Sequence, residues 1–68
     1  MPPPGFADLS EREREILALI GAGRSNAEIA EELVISMATV KTHVRHVFAE
    51  LDMRDRAQAV VAARDAGL

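Results

Sequence analysis

Two helix starts, at Ser25 and at Ser36, are written into Ser25-Asn26-Ala27-Glu28-Ile29-Ala30-Glu31-Glu32-Leu33-Val34-Ile35-Ser36-Met37-Ala38-Thr39-Val40-Lys41-Thr42-His43-Val44-Arg45-His46-Val47-Phe48-Ala49-Glu50-Leu51. Ser25-Asn26-Ala27-Glu28 has the S-x-x-E form of a capping box, in which serine and glutamate satisfy each other's free backbone N–H groups. The helix it opens carries Ile29, Ala30 and Leu33 at i, i+1 and i+4 and lasts only about two turns. Val34 and Ile35 interrupt it, Ile35 being placed to plug into the core, and Ser36 caps the next helix. At about 100° per residue, Val40, Val44, Val47, Phe48 and Leu51 fall on one apolar arc of that helix. Opposite lie Thr42, Arg45 and Ala49, with Ala38 at the N-terminal end, flanked by Lys41 and His46; His43 sits at the edge of the apolar arc. Two short helices joined by about three residues match the geometry of a helix-turn-helix.

Outward from this pair, two further helices have their own signals. Ser10-Glu11-Arg12-Glu13 is another capping box, followed by Ile16, Leu17, Leu19 and Ile20 and closed by Gly21 and Gly23. Asp55-Arg56-Ala57-Gln58 starts a fourth, alanine-rich helix that ends at Gly67, with Ala59, Val60 and Ala63 on its core side and Val61 off that arc. Alternating runs of strand type are absent, so the expected fold is all-α with four helices, the second and third forming the motif. Pro2-Pro3-Pro4-Gly5 suits neither helix nor sheet interior, so residues 1–8 read as a linker or a disordered N-terminus and residues 9–68 as the domain.

Composition narrows the function. The chain has 68 residues and no cysteine, which excludes disulfide staples, thiolate metal sites and a nucleophilic thiol. Phe6 and Phe48 are the only aromatics, too few for a base-stacking platform. No apolar run approaches the roughly 18 residues of a membrane span, and the start is not a secretory signal, so the expectation is a cytoplasmic protein. No Ser/His/Asp set with an activating neighbour, phosphate loop or acid pair argues for an enzyme. His43 and His46 alone supply two metal ligands where zinc needs three or four, so neither metal nor cofactor is expected. The net charge of -3 argues against a polyanion partner, but its distribution does not: residues 1–35 carry -4, residues 36–51 carry +1 and residues 52–68 are neutral. A major groove admits a helix such as the third, with acceptors for Lys and Arg and thymine methyls for small side chains. Read alone, the same face could be an ordinary solvated one. A small interaction module that offers its acidic half to a basic partner is the alternative function.

Leu9-Ser10-Glu11-Arg12-Glu13-Arg14-Glu15-Ile16-Leu17, Gly23-Arg24-Ser25-Asn26-Ala27-Glu28-Ile29-Ala30, Leu33-Val34-Ile35-Ser36, Thr39-Val40-Lys41-Thr42-His43-Val44 and Arg54-Asp55-Arg56-Ala57-Gln58-Ala59-Val60 occur in order. Together they resemble the LuxR/NarL-type helix-turn-helix domain of bacterial transcriptional and response regulators, from Leu9 to Leu68. The resemblance implies sequence-specific binding of double-stranded DNA, with the third helix in the major groove. It implies base contacts from Lys41, Thr42 and Arg45. Ser36 and Thr39 would meet the DNA backbone, with His43 and His46 as further backbone contacts. It also implies a homodimer on DNA through the fourth helix, with Val61 in the interface, and a receiver or ligand-sensing domain in a full-length protein. Glu13 would pair with Arg56. The sequence departs from the family pattern at Ala27 and Glu50, where lysines often contact phosphates, and at Asp52, where glycine is frequent; aspartate tolerates a left-handed turn.

Overall fold

The computed structural model describes residues 4–68. After a 3-10 turn at Phe6–Asp8 come helices α1 (Glu11–Gly21), α2 (Asn26–Leu33), α3 (Met37–Glu50) and α4 (Arg56–Asp65). No strand occurs among the described residues. Each helix begins where a side-chain oxygen replaces a missing backbone acceptor. Ser10, Ser25, Ser36 and Asp55 accept from the backbone N–H groups of Glu13, Glu28, Thr39 and Gln58, and both expected capping boxes are closed.

The helix ends share one device. A residue in the left-handed region follows each helix: Gly23 (φ 86°), Val34 (φ 56°), Asp52 (φ 52°) and Gly67 (φ 77°). The next backbone N–H then donates five residues back, from Arg24 to Leu19, Ile35 to Ala30, Met53 to Phe48 and Leu68 to Ala63. These paired bonds satisfy the free carbonyls of each last turn. Asp52 adopts the left-handed turn expected of it. Val34 is the unusual member, because a β-branched side chain is disfavoured there.

Ile16, Leu17 and Ile20 of α1, Ile29 of α2, Val40 and Val47 of α3, and Ala59, Ala62 and Ala63 of α4 meet in one core, with Leu9 and Leu51 at its margins. Fully burying each larger aliphatic side chain stabilises the fold by roughly 1.5–3 kcal/mol. Helix α1 packs against both α4 and α3, and α2 packs on α3. The α1–α4 contact is close because small residues face each other. A Cβ on Gly21 would lie 2.6 Å from that of Ala63. On α4, Ala62 is buried and Val60 only half-buried, so the core side is rotated slightly from the one expected.

The folded unit begins earlier than Leu9. Phe6 packs against the core, and the Arg14 guanidinium lies 5.0 Å from its ring centroid. Gly5 has φ 86° and sits so close to the Glu50 carbonyl that no Cβ would fit. Phe6 thus anchors residues 5–8 on the helices, because it finds apolar surface to cover. Residues 1–3 lie outside the described residues.

Candidate nucleic-acid interface

Helix α3 is held by one face and free on the other. Val40 and Val47 are fully buried, Val44 and Phe48 half-buried, and Ile35 packs against the same core from the turn. This fixes which side chains point out. Ala38, Lys41, Thr42, Arg45 and Ala49 are all exposed, and Met37 joins them at the N-terminal end. Lys41 lies one turn beyond Met37, and Thr42 one turn beyond Ala38. Neither Lys41 nor Arg45 has an ion-pair partner among the described residues, so both charges stay available.

The hydroxyls are partly committed. Thr42 donates to the Ala38 carbonyl at 3.0 Å, which leaves its lone pairs and methyl group facing outward. Ser36 accepts from the Thr39 backbone at 3.1 Å, and the two hydroxyl oxygens are 2.9 Å apart. They crown the N-terminus of α3, where unpaired N–H groups and the helix dipole favour an anion.

His43 and His46 both have a partner on another helix. Both rings turn from the outward stripe to Glu13 of α1. His46 Nδ1 donates to Glu13 Oε2 at 2.6 Å, and His43 Nδ1 lies 3.5 Å from the same oxygen. His46 Nε2 is 3.4 Å from Glu50 Oε1. The other Glu13 oxygen accepts the Ser10 backbone N–H at 2.9 Å. Burial pushes the Glu13 carboxyl up, but the bonds from Ser10, His46 and His43 together outweigh it and hold the group below its ordinary value.

The expected Glu13–Arg56 pair is not formed. Arg56 donates to Asn26 Oδ1 and to the Arg24 carbonyl, tying the start of α4 to the start of α2. Asn26 lies nearer in the folded chain, and Glu13 is already occupied by the α3 histidines. The signal for that occupant was present: an acid on the apolar arc of α1 and two histidines three residues apart on α3.

Two other surfaces stand apart. Glu28, Glu31 and Glu32 gather around Arg24 on α2, with Arg24 and Glu32 3.9 Å apart. Hydrogen bonds from Ser25 hold the Glu28 carboxyl below its ordinary value. On α4, Val61 is 54% exposed. No group of three metal-binding side chains occurs among the described residues, and no helix there is long and apolar enough to cross a membrane.

A family model described as bacterial regulatory proteins, luxR family, matches residues 7–63. The chain belongs to that family. The luxR-family domain is 53% identical over 55 residues to the transcriptional regulatory protein LiaR of Bacillus subtilis. That alignment covers 81% of the chain and 26% of LiaR. The response regulator protein VraR of Staphylococcus aureus gives the same identity over the same shares. LnrK, a transcriptional regulatory protein of Bacillus subtilis, is 49% identical over 87% of the chain and 27% of its own length. Among solved structures, the response regulator ChrA of a heme-sensing two-component system superposes with a TM-score of 0.79 at 46% identity. That match spans 87% of this chain and 29% of ChrA. The luxR-family chain thus spans about a quarter of the length of the curated relatives it matches.

Proposed function

We propose that this domain reads duplex DNA sequence-specifically by laying α3 in the major groove of one half-site. It would serve as the effector part of a longer bacterial regulator whose receiver or ligand-sensing domain controls it. The observation that carries the reading is the outward stripe of α3, where Lys41 and Arg45 stand exposed, without an ion-pair partner among the described residues, beside small side chains. Lys41, Thr42 and Arg45 face base edges, while Ser36 and Thr39 meet phosphates at the helix N-terminus. His43 and His46 contribute less directly as backbone contacts, because Glu13 holds their Nδ1 atoms.

Selection of bound duplexes from a random pool tests the reading, with a palindromic enriched site as the expected result. On that site Arg45→Ala should cost about 1–3 kcal/mol and spare non-specific binding. Equal losses on selected and random duplex would make Arg45 a phosphate contact. Failure to enrich any duplex would favour the acidic α2 surface and a basic protein partner.

Two copies would combine their contacts on half-sites about one helical turn apart. The net charge of -3, with Ala27 and Glu50 at positions where lysines would serve, leaves one copy few phosphate contacts. The exposed Val61 supports pairing through α4. Val61→Glu should weaken binding to a two-half-site duplex while sparing single-site binding and the fold. Unchanged two-site binding would remove Val61 from the interface.

A further inference from the structure

The shoulder of α3 carries a cluster of titratable side chains that the base-reading stripe does not use. Glu13 is only 6% exposed, and its two oxygens have separate duties. Oε1 closes the capping box with Ser10, and Oε2 accepts a hydrogen bond from His46 Nδ1–H at 2.6 Å. This carboxylate joins the start of α1 to the middle of α3, 33 residues further along the chain. The apolar contacts of Val40 and Val47 press α3 against the core but are non-directional. A short, charge-assisted hydrogen bond is directional and stronger than a neutral one, so it selects one rotation of α3.

The charged groups facing His46 are Glu13 from α1 and Glu50 from its own helix; His43 shares the Glu13 oxygen. A neutral imidazole donates from one nitrogen only, whereas the protonated ring donates from both. Neutral His46 therefore holds Glu13 and leaves Glu50 as an uncompensated negative charge at the end of the recognition helix. Protonated His46 spans both carboxylates and offsets that charge.

We propose that Glu13 is a positioning residue for DNA binding, holding the recognition helix through His46, and that a proton gained by His46, bridging Glu13 and Glu50, raises duplex affinity. This rests on the DNA-binding reading above. One added positive charge on the helix that faces the duplex, screened by salt, should tighten binding about two- to fivefold per copy.

The test uses a duplex selected from a random pool, with Kd measured at fixed ionic strength from pH 8 to pH 6. Wild type should tighten by the stated factor. His46→Gln stays neutral throughout and should lose most of that gain. In Glu13→Gln the amide oxygen can still accept the Ser10 N–H, so the capping box survives, but the carboxylate for His46 is gone. This variant should bind more weakly than wild type at pH 6 and show a shallower pH slope. If His46 instead gripped a phosphate directly, Glu13→Gln would free the ring, and binding would hold or tighten with the slope intact; that result overturns the proposal. An unchanged slope in His46→Gln overturns it as well, and this comparison decides alone if Glu13→Gln fails to fold, since His46 lies on the surface. Retention of no duplex at any pH would sink the DNA-binding reading, whereas retention without these differences would sink only the role of Glu13 and His46.

Discussion

Replacing Val34 by glycine should make the domain more stable. Val34 closes α2 with φ 56° and ψ 49°, in the left-handed region. Its side chain is 88% exposed, so shortening it forfeits almost no packing. A residue with a Cβ loses roughly 1–2 kcal/mol in that conformation, and a β-branched one has the least freedom to relieve it. Glycine removes this strain but gives the unfolded chain extra freedom, which costs about 0.4–1 kcal/mol. The difference leaves a net gain of roughly 0.5–1 kcal/mol. For a domain of this size, that corresponds to a rise in Tm of about 2–8 °C. Thermal melts followed by circular dichroism at the helical band measure it directly. Val34→Asn should gain comparably, because its short polar side chain tolerates the left-handed turn, whereas Val34→Ala keeps a Cβ and should stay near wild type. The bond from Ile35 N–H to the Ala30 carbonyl is backbone only and survives all three changes. A Val34→Gly melt at or below that of wild type refutes the reasoning.

Leu51, only 8% exposed at the end of α3, should leave a core cavity when cut to alanine and cost about 2–4 kcal/mol. Denaturant titration should move its midpoint without changing the slope, and an unshifted midpoint would mean the site collapses freely. Acid should destabilise the domain through Glu13 and Glu28, whose carboxyls are both held below their ordinary value. Their contribution is fully present above the unfolded value of about 4.5 and is lost as pH falls through the lower folded values. Glu13→Gln should flatten part of that acid limb, which melts between pH 6 and pH 3 would show.

Much of this fold was legible in the chain because its signals are local. A serine cap and a glutamate three residues on have one geometry in which both bonds close, so Ser10 and Ser25 marked helix starts without reference to the rest of the protein, and Ser36 did so as a simple cap. The spacing of Val40, Val44, Val47 and Leu51 fixed one buried arc. Since a helix has only one opposite side, it also fixed the exposure of Lys41, Thr42 and Arg45. Helix ends were less legible: Gly23 and Gly67 announce a left-handed turn by their lack of a Cβ, but Val34 carries no such mark and adopts one because Ile35 must reach the core.

Long-range pairing was decided by the tertiary structure. Glu13 meets His46 and not Arg56, and Arg56 meets Asn26, because those choices depend on how far each helix is rotated and shifted on its neighbours. Small rotations move a polar head group by several ångström, and the packing of Gly21 against Ala63 and of Val40 and Val47 in the core sets them. Phe6 likewise looked like part of a proline-rich lead until the assembled helices offered it an apolar surface and Arg14 a ring to cover. The sequence by itself determined where helices begin and which face of α3 is free. The tertiary structure alone decided which charge sits beside which, since periodicity carries no information about the relative rotation of two helices.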